Sequence, residues 1–103
     1  MEKIRIVYKM PHCEAWITEM PNTNAAIQER VGGYYQVVYM GRNIVMLCNE
    51  EGKLNGSAVN FGFGDDLIFG SVVFCGVADD EFCSLTHKEA EEIAKLMNGE
   101  EVA

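Results

Sequence analysis

The longest apolar run of the chain, LIFGSVVFCGV at residues 67–77, most constrains its fold. The run is rich in β-branched and aromatic residues and contains two glycines, so it predicts a central β-strand rather than a helix. A central strand needs neighbouring strands at both edges. Gly70 interrupts the run and predicts a bulge or the close approach of another backbone.

Other segments supply the neighbouring strands. Residues 2–10 alternate apolar side chains with Lys3, Arg5 and Lys9, which is the pattern of a strand with one face in solvent. Residues 34–40 are rich in aromatic and β-branched residues. Three further strands are predicted at residues 13–19, 44–48 and 54–59.

Two helices are predicted from their capping residues. The first begins at residues 22–24, whose side chains can accept hydrogen bonds from free backbone amides, and ends at Val31 before two glycines. The second begins with the capping box Thr86–Glu89 and carries one apolar stripe at helical spacing.

Together these segments predict a single α+β domain over residues 1–103. Its small antiparallel or mixed sheet has about five or six strands, with two helices packed on one face. The 103-residue chain is long enough for one core and short for a second domain. Residues 99–103 follow the last helix and are predicted to fray.

Cysteine use and hydropathy indicate a compartment. No apolar run approaches the roughly 20 residues that span a bilayer, and the N-terminus lacks the apolar core of a signal peptide. A cytosolic location is therefore expected. The cysteines show no CxxC spacing, so no metal site or cofactor is predicted and all four are expected to be free in a reducing cytosol: Cys13, Cys48, Cys75 and Cys83.

The charge is unevenly distributed. Residues 1–63 carry six acidic and six basic side chains, so the formal net charge of −8 lies within residues 64–103. Direct binding of nucleic acid is not expected, because it needs a basic patch. An acidic surface suits a basic partner, while the alternative is a solvated face that aids solubility. The predicted acidic partner face comprises Asp79, Asp80, Glu81, Glu89, Glu91 and Glu92.

Residues 49–53, NEEGK, predict the turn of a β-hairpin. Asn49 can start the turn by bonding its own backbone, and Gly52 supplies a left-handed step. The alternative is a cation or phosphate site at Asn49 and Lys53. Against that alternative, the segment lacks the GxxxxGK[ST] pattern of a phosphate-binding loop.

Residues 60–66, NFGFGDD, predict a glycine-rich loop. The alternative is a ligand-gripping loop whose two phenylalanines stack on a base or ring. No helix follows the loop, so no helix N-terminus is available for a phosphate. The predicted binding residues near this end of the sheet are Asn49, Lys53, Asn55, Asn60, Phe61 and Phe63.

No catalytic motif is recognisable. A cysteine nucleophile with a histidine base would need His12 or His87 to meet Cys13 or Cys83 in space. None of the serines lies in a GxSxG elbow. The expectation is therefore a protein without enzymatic activity.

Tyrosines at residues 34, 35 and 39 lie in one predicted strand. Their first interpretation is as core or half-exposed sheet residues. An exposed tyrosine pair near an acidic helix would instead be typical of a protein-binding surface.

The chain resembles the domain of unknown function 3846 family over roughly Lys3 to Met97. The segments that carry the resemblance are Val31-Gly32-Gly33-Tyr34, Cys48 to Gly56, Asn60, and Asp66 with Gly70. Members often have a proline shortly after the position of Gly56, where this chain has Ser57. The resemblance implies a phage or mobile-element origin in Firmicutes and a compact cytosolic domain. It implies no catalytic residue and no substrate.

Three functions are weighed on this basis. The first is a phage or mobile-element accessory protein that binds a host protein, in its specific form an acidic inhibitor of a host defence protein. The second is a protein that binds or sequesters a small ligand such as a nucleotide signal. The third is a small cysteine/histidine hydrolase.

Overall fold

A computed structural model describes residues 2–99 of the chain. Within these residues the backbone forms eight strands and two helices. In chain order they are β1 (Lys3–Lys9), β2 (Trp16–Pro21), α1 (Asn24–Val31), β3 (Tyr35–Gly41), β4 (Ile44–Asn49), β5 (Val59–Phe63), β6 (Asp66–Phe69), β7 (Val72–Ala78), β8 (Glu81–Cys83) and α2 (His87–Met97). The predicted α+β class is confirmed. The predicted tail at residues 99–103 lies, apart from Gly99, outside the described residues.

Six strands form one antiparallel sheet in the order β2-β1-β7-β4-β3, with β8 also pairing with β7. Strand β7 lies at the centre, since it pairs with β1 through Phe74 and Val7 and with β4 through Val73 and Leu47. The central strand predicted from the apolar run is correct for residues 72–77.

The first part of that apolar run belongs to a different sheet. The backbone turns at Gly70, whose φ is +82°, a conformation that glycine adopts at little cost. Residues before it form β6, which pairs with β5 in a separate two-stranded sheet. The loop predicted at residues 60–66 is therefore wrong, because residues 60–63 belong to β5 and Asp66 begins β6.

The hairpin predicted around residues 49–53 is also wrong. Strand β4 already pairs with β3 on one edge and with β7 on the other, so no edge is left for a returning strand. Residues 50–58 instead form turns and irregular backbone before β5 begins.

The two helices cover opposite faces of the larger sheet. Ile27 of α1 lies in one apolar cluster with Cys75 of β7, and Ala90 of α2 lies in another with the preceding residue, Phe74. Successive side chains of a strand point to opposite faces, so the predicted placement of both helices on one face is wrong. The physical reason is that residues 72–75 are all apolar and buried, and both faces of β7 need cover.

Both predicted helix caps are present. Thr23 accepts from the Ala26 amide at 3.1 Å, and Thr86 forms the complete capping box with Glu89. No helix within residues 2–99 combines the length and apolar character needed to cross a membrane.

Candidate functional site

A surface cavity of about 300 Å³ separates β6 from the end of β4. Its floor comes from β3 and β4, one wall from β6, and the other wall from the segment that follows β4. The lining residues are Gln36, Cys48, Asn49, Glu50, Glu51, Gly52, Lys53, Leu54, Asp66, Leu67, Ile68 and Phe69. The cavity therefore forms where the two sheets meet.

Asn49 fixes the wall segment. Its side-chain oxygen accepts from the Glu51 amide at 2.7 Å, and its side-chain nitrogen donates to the Val31 carbonyl at 3.2 Å. Asn49 is buried, and both ends of its amide group are used. The predicted turn-starting role of Asn49 is confirmed, and the same bonds tie the cavity wall to the end of α1.

Gly52 lets the wall segment approach β6 closely. A Cβ atom at this position would lie 2.8 Å from the Phe69 carbonyl oxygen and 3.1 Å from the Phe69 Cβ. The first distance is far inside van der Waals contact, so any larger residue must displace backbone. Glycine is therefore required at position 52 for steric reasons. The predicted left-handed conformation of Gly52 is wrong.

Replacing Gly52 with alanine should therefore destabilise the protein by about 1–3 kcal/mol, the usual cost of overpacking. Urea unfolding of Gly52→Ala measures this loss. Gly62→Ala is the matched control, since a Cβ at Gly62 meets nothing closer than 3.9 Å. Equal stability of the two variants would contradict the close contact.

Lys53 and Asp66 form an ion pair across the cavity mouth. The Lys53 Nζ lies 2.7 Å from the Asp66 Oδ1 and 5.9 Å from the centre of the Phe69 ring. The hydrogen bond from Lys53, together with one from the Leu67 amide, lowers the pKa of the Asp66 carboxyl. Both partners are exposed, so the pair contributes little to stability.

Cys48 and Gln36 form the polar part of the floor. The Gln36 side-chain nitrogen lies 3.5 Å from the Cys48 sulfur as a donor. Burial raises the pKa of the Cys48 thiol. The thiol is therefore poorly suited to act as a nucleophile.

Of the six predicted binding residues, only Asn49 and Lys53 line the cavity. Asn55 accepts from the backbone amide and hydroxyl of Ser57, which shapes the local turn. Phe63 lies at the end of β5, partly exposed. The cavity therefore brings together two of the six, while Asn60, Phe61 and Phe63 lie on β5 and their role in binding stays a prediction.

Asn60 and Phe61 instead connect the small sheet to the large one. The Asn60 side chain accepts from the Lys9 ammonium at 2.8 Å and donates to the carbonyls of Lys9 and Gly70 at 2.9 and 2.8 Å. The Phe61 ring stacks on Phe74 with 6.4 Å between centroids. Both residues have architectural roles.

The predicted acidic residues occupy two different elements. Asp79 and Asp80 form the turn between β7 and β8, both at positive φ, and Glu81 begins β8. On α2, the Glu89 side chain accepts from the Thr86 amide, and Glu91 and Glu92 follow it. No hydrogen bond or ion pair within residues 2–99 links the turn group to the helix group.

The structure shows the surroundings of two candidates for cysteine and histidine chemistry, His87 and Cys83. The distance between the His87 Nε2 and an Arg5 guanidinium nitrogen is 3.1 Å. Burial and the nearby Glu89 carboxylate raise the pKa of Cys83, which disfavours its thiolate. Within residues 2–99 no group of three or more His, Cys, Asp or Glu side chains is placed to hold a metal ion.

Sequence reasoning missed the β6 wall of the cavity, residues 66–69. The signal was present, since Gly64-Asp65 lies between two β-prone segments and is a common two-residue hairpin turn. The glycine-rich appearance of residues 60–66 obscured it. Gln36 carried no signal of its own, because its position depends on strand pairing.

Comparison with known proteins gives one result. A family model described as Domain of unknown function (DUF3846) matches residues 4–98. No curated protein and no solved structure matches the chain.

Proposed function

We propose that this chain, which belongs to the DUF3846 family, is a non-enzymatic accessory protein of a phage or mobile element that binds a host protein in the cytosol. The edge of β3 is the surface that contacts the partner, and the negative net charge of the protein attracts the partner.

The observation that carries the proposal is the exposed edge of β3. This strand pairs only with β4 among the described strands, so one row of its backbone amides and carbonyls is open. Tyr39 is 73% exposed and shares one face of the strand with the exposed Val37, and Tyr34, just before the strand, is 72% exposed. Tyrosine is enriched at the centres of protein interfaces.

The composition of β3 sets it apart from β2, the strand at the opposite end of the sheet order. Residues 31–41 contain no charged side chain and no proline. Strand β2, at the opposite edge, carries Glu19 and Pro21, which are common protections against unwanted pairing. An unprotected edge with exposed tyrosines suits a partner segment that adds a strand to the sheet.

The charge of the protein favours a basic partner. The formal net charge of −8 produces long-range attraction toward a positive surface, including one that normally holds nucleic acid. In this form the protein is an acidic inhibitor of a host defence protein. The acidic residues of the β7–β8 turn and α2 accelerate the encounter, and the β3 edge makes the contact.

Affinity capture from host lysate tests the proposal. Tyr39→Lys places a charge on the β3 edge and should weaken binding of the captured protein by at least about tenfold, as for a central interface residue. Ile17→Lys is the matched control, because Ile17 is also an exposed apolar side chain but lies on β2, at the opposite end of the sheet order. Raising the salt concentration should slow association if the acidic residues attract the partner.

Two results would contradict this function. One is the absence of any saturable partner. The other is equal capture by the Tyr39→Lys and Ile17→Lys variants.

A second candidate function is capture of a small ligand, and the cavity beside Lys53 favours it. A thermal shift screen that includes nucleotides tests this function. A ligand at 100 times its dissociation constant should add about 2.7 kcal/mol of stability. No shift with any compound would count against it.

A further inference from the structure

The charges around the cavity are mainly negative. Glu50, Glu51 and Asp66 line it, and Lys53 is the basic residue among the lining side chains. Lys53 is itself engaged by Asp66. A phosphate or carboxylate entering this cavity would meet three carboxylates and one ammonium that is already paired, so the field opposes an anion.

The Lys53 ammonium shows how a cation can be held here. It is bonded to the Asp66 carboxylate at 2.7 Å and faces the Phe69 ring at 5.9 Å. A carboxylate combined with an aromatic ring is a common recognition set for ammonium and guanidinium groups. Lys53 is a flexible and exposed side chain, and an exposed ion pair is weak, so another cation can replace it.

The size and apolar lining of the cavity restrict the ligand further. A volume of about 300 Å³ is at the lower end of the range of ligand pockets. It suits a group of the size of one amino-acid side chain better than a whole nucleotide. Leu54, Leu67 and Ile68 offer apolar contact to an aliphatic stem.

We propose that the cavity binds the guanidinium or ammonium group of a small aliphatic cation, which takes the place of the Lys53 ammonium on Asp66. The cation is either a free amine or an arginine or lysine side chain of a bound protein, since both present the same chemistry. The proposal goes beyond the function of the β3 edge and is tested with purified protein alone.

The test is calorimetric titration with agmatine, whose aliphatic stem carries a guanidinium at one end and an ammonium at the other. Lys53→Gln removes the internal competitor and should tighten agmatine binding by about fivefold, while Asp66→Asn should weaken it by a similar factor. Asp66→Asn retains a side-chain oxygen to accept from the Leu67 amide, so the hairpin is preserved. Glu91→Gln removes one charge from α2, away from the cavity, and is the matched control for net charge.

The opposite signs of the two cavity variants make the result decisive. A site for an anion requires Lys53→Gln to weaken binding, so inorganic phosphate is titrated in parallel. Binding of phosphate that is lost in Lys53→Gln overturns the proposal. Failure of both the wild type and Lys53→Gln to bind any guanidinium probe also overturns it.

A second arm distinguishes the two sources of the cation. A short arginine-containing peptide with a free N-terminus and an amidated C-terminus, which carries the same two positive charges, is compared with agmatine. Tighter binding of agmatine supports a free small molecule, and tighter binding of the peptide supports a protein side chain. This arm is independent of host lysate, so failure of the β3 edge to capture a partner leaves its result unaffected.

Discussion

Replacing Phe74 with alanine should lower the free energy of unfolding by about 3–5 kcal/mol, the usual loss for a large buried aromatic residue. Phe74 is 1% exposed and lies on the central strand, β7, between β1 and β4. Its ring also stacks on Phe61 of the small sheet. The substitution therefore creates a cavity in the core and removes the aromatic contact between the two sheets.

Equilibrium unfolding in urea measures this effect for Phe74→Ala. Domains of this size are stable by only about 5–15 kcal/mol, so the variant is expected to unfold at much lower denaturant. Phe63→Ala makes the same chemical change at a side chain that is 38% exposed, and should cost far less. A similar loss in both variants would contradict the assignment of Phe74 to the core.

The second large effect is expected for Asn60→Ala, at about 2–3 kcal/mol. Lys9 is only 7% exposed, and Asn60 and the Met10 carbonyl are the acceptors of its ammonium in the structure. Loss of Asn60 leaves a buried charge with one acceptor fewer. It also leaves the Lys9 and Gly70 carbonyls without the donor that joins them.

A matched amide and a double-mutant cycle check the origin of this loss. Asn55→Ala removes an amide whose side-chain hydrogen bonds, within residues 2–99, go to Ser57 two positions later, and should have a small effect. Lys9→Met should be less costly in the Asn60→Ala background than in the wild type, because the ammonium is already poorly paired there. Additive effects of Lys9→Met and Asn60→Ala would show that the two side chains are not coupled.

Part of the cavity could be predicted from the sequence because it depends on local structure. Asn49 begins a turn through a bond to the amide two residues later, so its role follows from neighbouring residues. Lys53 lies in the same turn segment. The opposite wall, at residues 66–69, could not be placed beside them, since it depends on how the β5–β6 hairpin packs against β4.

Lys9 illustrates the same limit. Alternation along β1 assigned this lysine to solvent together with Lys3 and Arg5. The β5–β6 hairpin covers it, and the covering residue is Asn60, which lies 51 positions along the chain. A period-two pattern defines the two faces of a strand, but it cannot tell which face another segment will cover.

Secondary structure that depends on residues close together in the chain could be predicted from the sequence. The apolar residues 72–77 specify a central strand, one of residues 22–24 caps the first helix, and Thr86 caps the second. These features depend on backbone conformation and on neighbours within a few residues. Three features depend on the tertiary structure. The helices lie on opposite faces of the sheet, β3 has an open edge, and Asp66 forms an ion pair with Lys53. Each of these depends on which distant segments bury the remaining apolar surface, and local propensity carries no information about that choice.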